Sequence, residues 1–311
     1  MNPVFDESVN CLICNKDKWI NLAHVSHPKV AFNLQSCSVC GFVAQNPPLS
    51  EVFLKNYYEN NYVRDNYKNS MSKIHQMYDP ANARISYLRE NNYISKLRRV
   101  LEIGPGAGTM MKLVSDKGID ITGIEPDSIA ARWIKENLQL PVYEGFFDSV
   151  YDKEKELWYK NLYDGIIITH VLEHISNPSI FLSKLKKIMT EYGILIIEVP
   201  NIERPFSDEW KWETYCDPGH LHYFSKNTLK ELLFRSGFTV SSITDMIFEP
   251  YGNIFCIAKK DNKKSRLRQQ NTFINNTINI NNIWKTYVKY HRWRWFKYKV
   301  SRIFKKLNFF I

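Results

Sequence analysis

The chain has 311 residues, 44% of them hydrophobic and 14% aromatic, which is enough for a full core plus one small extra module. No run of about 18 apolar residues occurs, so no transmembrane helix is expected; the opening stretch with Asp6 and Glu7 lacks a signal-peptide pattern, and a cytoplasmic protein follows as the expectation. The formal charge of +10 is local, because residues 262–311 hold 13 of the 42 Lys and Arg and none of the 32 Asp and Glu; residues 1–261 are left at −3, which disfavours a uniformly basic nucleic-acid-binding body.

Cys11-x2-Cys14 and Cys37-x2-Cys40 have the spacing at which each pair grips one tetrahedral ion from a knuckle turn. Asn15 and Gly41 follow the two pairs, where a knuckle needs residues tolerant of positive φ. Four cysteine ligands leave no open position, so Cys11, Cys14, Cys37 and Cys40 are expected to hold a structural Zn²⁺. Two disulfides in a secreted domain are the alternative, disfavoured by the missing leader. Downstream come Gly41-Phe42-Val43-Ala44-Gln45-Asn46-Pro47-Pro48 and then Tyr57, Tyr58 and Tyr62. This layout resembles the N-terminal zinc-binding domain fused to S-adenosylmethionine (SAM) methyltransferases of the sugar C-methyltransferase type. The resemblance implies a module that helps close a substrate pocket, with Tyr58 and Tyr62 as substrate contacts; packing between helix and domain is their other reading. Residues 51–96 read as a helical connector covering the active site, with amphipathic spacing over residues 71–93 interrupted at Pro80.

Residues 99–103 form an apolar strand that ends at Glu102-x-Gly104-x-Gly106-x-Gly108. Glycines let such a turn pass from strand to helix and lie against a ligand. A dinucleotide turn would place its third glycine where Thr109 stands, and Glu102 suits the cationic amino acid portion of a ligand better than a phosphate. The stretch resembles motif I of the class I SAM methyltransferases. A second strand ends at Glu125, 21 residues beyond Gly104, where a carboxylate can accept both hydroxyls of a ribose. In the resembled family the residues after the third strand flank the adenine, which here points to Phe146 and Phe147, with Asp148 slightly later. The apolar run of residues 163–169 reads as a buried parallel strand and opens through His170 into Val171-Leu172-Glu173-His174, similar to the V-L-E-H segment of the same superfamily. Loops at the carboxyl ends of such strands face the ligand, so His170 joins the cofactor contacts, and Glu173 and His174 the substrate contacts, with helix capping and packing as the alternative. A fifth strand and a closing antiparallel pair, residues 238–248 and 252–259, separate this pattern from a dinucleotide domain.

A Trp-rich insertion with Trp210, Trp212 and Tyr215 leads into Asp217-Pro218-Gly219-His220-Leu221-His222-Tyr223-Phe224-Ser225. In sugar C-methyltransferases the corresponding segment reads close to E-H-L-x-Y-F-S, and the resemblance implies His220 as the proton acceptor; here the preceding acid is absent and Asp217 stands earlier as a substrate contact. Histidine suits that role because its ordinary pKa lies near neutrality. His222 competes with His220, and one of the two serves if the other bonds a backbone carbonyl. Cys216 and Cys256 are not read as nucleophiles.

Residues 262–282 read as a polar linker. Beyond it, Trp293, Phe296, Val300, Ile303, Phe304, Leu307 and Phe310 fall within an arc of about 120° at helical periodicity, with Arg and Lys around the rest. This basic amphipathic helix over residues 283–311 is expected to meet a membrane surface or a protein partner, which would place the chain at the inner face of a membrane.

The sequence thus predicts an α/β fold: a Rossmann-like, seven-stranded SAM methyltransferase sheet with an antiparallel last strand, a small N-terminal zinc-binding module and a C-terminal basic amphipathic helix. The expected division is 1–50 zinc-binding module, 51–96 connector, 97–261 methyltransferase domain and 262–311 linker and helix. The expected activity is SAM-dependent methylation, at oxygen or carbon, of a small-molecule or glycan acceptor such as a nucleotide sugar or surface-glycan precursor. RNA methylation, with the zinc module and basic tail gripping RNA, is an alternative that the near-neutral body disfavours; a non-catalytic scaffold is another.

Overall fold

The computed structural model describes residues 4–27, 29–57, 74–154, 158, 162–203, 216–248 and 251–261. Its strands in chain order are β1 (Trp19–Ser26), β2 (Ala31–Cys37), β3 (Val43–Gln45), β4 (Arg99–Ile103), β5 (Asp120–Glu125), β6 (Val142–Glu144), β7 (Tyr163–Thr169), β8 (Met189–Pro200), β9 (His222–Tyr223), β10 (Phe238–Phe248) and β11 (Tyr251–Lys260). The helices are α1 (Glu51–Tyr57), α2 (Ile74–Glu90), α3 (Thr109–Ser115), α4 (Ser128–Trp133), α5 (Phe147–Lys153), α6 (Pro178–Ile188) and α7 (Lys226–Arg235). Tyr58, Tyr62, the Trp210–Tyr215 part of the insertion and the tail from residue 262 lie outside the described residues.

Strands β4 and β7 are buried on both faces, and their nearly continuous apolar sequences place them at the centre of a seven-stranded sheet in the order β10-β11-β8-β7-β4-β5-β6. The five strands from β4 to β8 are mutually parallel, while β11 runs antiparallel to β8 and pairs with β10 as the closing hairpin. The chain builds outward from β4 to β6, then returns to the other flank with β7. The carboxyl ends of β4 and β7 therefore border a topological switch point, where ligands bind in open α/β sheets. Alternate residues of the central strands feed the two faces of the sheet. Leu101, Ile166 and Leu195 pack with α6 and α7, whereas Val100, Ile167 and Ile196 pack with α2 and α3.

The second sheet is antiparallel, in the order β1-β2-β3-β9. Its fourth strand comes from residues 222–223, far along the chain, with Val43 opposite Tyr223 and Ala44 opposite His222. Cys11, Ile13, Phe42 and Ala44 also share a continuous core with Leu172, Phe224 and Leu229. The cysteine region is thus packed onto the loops after β7 and β8.

The expected interruption at Pro80 does not occur, because α2 runs through it from Ile74 to Glu90. Proline removes one helical donor and crowds the preceding turn. That loss is offset downstream, where Ala81, Ile85 and Leu88 are buried and the Arg84 guanidinium donates two hydrogen bonds of 2.7 Å to the Glu198 carboxylate.

Candidate active site

The turn after β4 is strongly bent, with φ of +69° at Gly104, +56° at Gly106 and +73° at Gly108. A side chain is disfavoured in this left-handed region, so glycine is the residue that allows the turn. At Gly106 an added Cβ would meet nothing within 4 Å, leaving open space against bare backbone. Glu102 and Glu125 stand at the same sheet end. Glu125 accepts hydrogen bonds from the backbone N–H of Gly106 (2.8 Å) and of Asp127 (2.9 Å). Burial pushes the Glu125 carboxyl up to about 7 against the opposing effect of those two bonds. Burial likewise raises Glu102 to about 8, with the Arg84 charge opposing it, and Oε2 of Glu102 is buried with no hydrogen-bond partner among the described residues. A buried orphan oxygen, a second carboxylate and an open glycine turn make a cradle that fits a cationic, ribose-bearing ligand.

Next to this cradle, β7 ends at Thr169, and His170 follows it with φ of +55°. His170 Nε2 lies 3.2 Å from Glu198 Oε1 and its Nδ1 lies 3.4 Å from Glu173 Oε1. Burial disfavours the charged ring, but the two carboxylates prevail and raise His170 to about 9. Glu198 is held down to about 2 despite burial, because Arg84 and His170 both face it; Asn253 Nδ2 donates to its Oε1 at 2.7 Å. The left-handed backbone at His170 therefore sits on an ionic network that runs from α2 through β8 to the loop after β7. Neither Arg84 nor Asn253 was singled out in the sequence. Their signals are weak: an arginine on the apolar side of α2 and an asparagine inside the apolar run of β11.

The V-L-E-H segment forms a 3₁₀ turn, Leu172–His174, that buries Glu173 to 1% exposure. His174 Nδ1 donates to the Gly219 carbonyl at 2.9 Å, and its ring meets that of His220 edge-on at 4.7 Å. The Leu221 N–H donates to the Glu173 carbonyl at 2.9 Å, which ties the two loops together. Gln45, buried at the end of β3, donates through Nε2 to the carbonyls of Pro218 and His220, both at 2.9 Å. This clamp too was unread in the sequence, although Gln45 lies inside the run that follows the cysteine pairs. Ligand atoms of Glu173, His174 and His220 all lie within 4.8 Å of one another.

Two expectations are corrected here. His222 is no rival to His220: its Nε2 donates to the Ile175 carbonyl at 3.0 Å, its ring packs on Phe42 and Phe224, and burial lowers its pKa to about 4. Phe147 is no adenine-stacking ring, because it is packed in the core against Tyr151 and Phe181. Phe146 beside it is exposed, and Asp148 pairs with Lys184 at 2.6 Å. Asp217 braces its own turn, accepting from the Gly219 N–H at 2.7 Å and from the Tyr57 hydroxyl at 2.8 Å. Cys216 and Cys256 are buried, and burial raises both thiols above their ordinary range.

The four paired cysteines converge. Cys11 Sγ lies 3.4 Å from Cys40 Sγ, Cys14 Sγ lies 3.4 Å from Cys37 Sγ, and all four sulfurs lie within 4.8 Å of one another. Asn15 and Gly41 take φ of +57° and +75° in the two knuckles. Thiolates at about 2.3 Å from one tetrahedral ion stand about 3.8 Å apart, so this donor set fits such an ion.

A mostly parallel seven-stranded sheet closed by an antiparallel hairpin, with a glycine turn and two acids at its carboxyl edge, defines a Rossmann-like methyltransferase fold. A family model described as "Methyltransferase domain" matches residues 73–243, more than half of the chain, and the chain belongs to that family. The mitochondrial ubiquinone biosynthesis O-methyltransferase of Rattus norvegicus is 21% identical over 179 residues, which cover 49% of this chain and 48% of the relative. The (S)-tetrahydroprotoberberine N-methyltransferase of Eschscholzia californica is 27% identical over 154 residues, covering 45% of this chain and 42% of the relative. The chain thus spans about half the length of the curated relatives it matches. Among solved structures, the 1,6-didemethyltoxoflavin-N1-methyltransferase of Burkholderia thailandensis, with 1,6-didemethyltoxoflavin and S-adenosylhomocysteine bound, is 14% identical at a TM-score of 0.48; the match covers 70% of this chain and 94% of that one. No helix among the described residues is long and apolar enough to cross a membrane.

Proposed function

We propose that the protein transfers the methyl group of SAM to an oxygen or carbon of a sugar, as a nucleotide sugar or surface-glycan precursor. The observation that carries the methyl-transfer reading is the cradle of Glu102, Gly104, Gly106, Gly108 and Glu125 at the switch point of a methyltransferase-family sheet. Bound there, SAM supplies a methyl group activated by a sulfonium. Glu102 would hold the ammonium of its amino acid portion, a charge that would favour the ionised carboxylate that burial disfavours. Glu125 takes the ribose hydroxyls, and Phe146 offers an open ring on the adenine side. His170 belongs to the floor of the same pocket. His220, carried on the clamped loop, would accept the proton that the acceptor loses on methylation.

The sugar is inferred from the resemblance of the cysteine module and of the 217–225 loop to those of sugar C-methyltransferases. In this reading the cysteines hold Zn²⁺ that fixes the sheet behind the acceptor loop, and Glu173, His174, Asp217, Tyr58 and Tyr62 shape the acceptor side. The basic tail docks the enzyme on an anionic membrane surface, where lipid-linked glycans are assembled; liposome flotation with and without residues 283–311 tests this, and equal recovery of both forms off the vesicles would refute it. Calorimetry with SAM, followed by transfer of labelled methyl groups to sugar and RNA pools, tests the main reading. Label in RNA and none in sugars would overturn the acceptor class, and full turnover by His220→Ala would remove the proton-acceptor assignment.

A further inference from the structure

Glu173 is 1% exposed, and neither of its carboxylate oxygens has a hydrogen-bond partner among the described residues. A buried carboxylate ordinarily gathers donors, because its desolvation is costly otherwise. Glu173 gathers imidazoles at ion-pair range instead: its Oε1 lies 3.4 Å from His170 Nδ1 and 4.0 Å from His174 Nε2. The second contact is informative. The Gly219 carbonyl can only accept, so His174 presents Nδ1 to it and turns Nε2 toward the carboxylate. Nε2 of His174 and Oε1 of Glu173 stand 4.0 Å apart, too far for a direct hydrogen bond. Two donors each about 2 Å from a shared divalent cation stand about 3.0–3.4 Å apart, so modest closure of the pair seats an ion. The His220 ring completes the group, with all three ligand atoms within 4.8 Å of one another.

We infer that Glu173, His174 and His220 form a divalent-cation site, one carboxylate and two imidazoles, that takes a first-row transition ion such as zinc, manganese or iron. Imidazole and carboxylate suit these ions, and three protein ligands leave open positions. The carbonyl behind His174 is the outer-shell partner that a ligating histidine commonly has. Both histidines are carried on backbone that is held in place: Leu221 N–H bonds the Glu173 carbonyl, and Gln45 clamps the carbonyls of Pro218 and His220. The site is separate from the four-cysteine cluster in donor chemistry and in place. Its consequence rests on the methyl-transfer reading: an ion here would bind an acceptor oxygen and lower the pKa of its hydroxyl, whose proton would leave to solvent; with the ion bound His220 is a ligand, and the proton-acceptor role given to it above applies only to a site that holds none.

The test uses the full-length chain, stripped of metal and titrated with Co²⁺, whose thiolate charge-transfer bands report the cysteine cluster and whose d–d bands without thiolate character report a nitrogen–oxygen site. The wild type is expected to bind one equivalent of the second kind, lost in Glu173→Gln and in His220→Gln, with thiolate bands and SAM affinity retained. His220 is half-buried and on a loop, so its variant keeps the test decisive if Glu173→Gln fails to fold. Equal stoichiometry in wild type and either folded variant would overturn the cation site. If turnover is then still lost in His220→Gln, the proton-acceptor reading stands alone; absence of SAM binding in the wild type would instead sink the methyl-transfer reading and leave the cation result untouched.

Discussion

Gly106 and Gly108 both take left-handed φ, yet they are constrained by different neighbours. An alanine at 106 would carry backbone strain of roughly 1–2 kcal/mol and put a methyl group into the open space of the cradle. At 108 the same methyl group would also strike Leu138 Cδ1 at 2.7 Å and Ile134 Cγ1 at 2.9 Å. Urea denaturation should therefore show Gly108→Ala to be the more destabilised, whereas calorimetry should show Gly106→Ala losing SAM affinity out of proportion to its stability. Glu125 supports a pH prediction. Its folded pKa of about 7 lies above its ordinary 4.5, so the ligand-free protein binds this proton more tightly than the unfolded chain does. Its stabilising effect is complete below pH 4.5 and is lost as pH rises through 7. Melting temperatures should fall across that interval, and Glu125→Gln should flatten the slope. SAM affinity should run the opposite way in the wild type, rising as the carboxylate ionises. At this scale the glycines and Glu125 were legible because their spacing answers to backbone geometry. Gln45 and Arg84 were not, because each serves a partner more than 100 residues away.

Among elements, β9 is the smallest and joins the most distant parts of the chain. Two residues, His222 and Tyr223, pair with β3 and tie the loop of residues 217–225 to the cysteine module. Replacing Gln45 by Leu would leave the Pro218 and His220 carbonyls without that donor. The expected result is a fall in turnover of roughly 10–100-fold with unchanged SAM affinity, since the cradle is built on other strands. Loss of one knuckle ligand in Cys37→Ser should act along the same path, lowering metal content, melting temperature and turnover together while SAM binding persists. The alternation of apolar strands and helices was readable from periodicity, and so was the closing hairpin. The membership of β9 in the other sheet was not, because two residues carry no periodic signal and pairing across some 180 positions leaves no local trace.

In the molecule as a whole, the ionic network ties α2 to β8 and to the loop after β7. Arg84→Met would leave Glu198, with a fully buried side chain, lacking its bidentate partner and retaining His170 and Asn253. Breaking a buried pair of this kind costs about 3–5 kcal/mol, which should appear as a large drop in urea midpoint and a weaker SAM complex; Arg84→Lys should recover only part of the loss, because lysine cannot reproduce the fork. The sequence by itself determined the sheet, the glycine cradle and the two cysteine pairs, since strand patterning, left-handed turns and short metal-ligand spacings are encoded within a few residues of one another. Only the tertiary structure decided that His222 is spent on a carbonyl, that Phe147 belongs to the core, and that Glu173 faces His174 and His220. Those outcomes depend on which loops meet at the carboxyl edge of the sheet, and burial and hydrogen-bond satisfaction are properties of the packed neighbourhood.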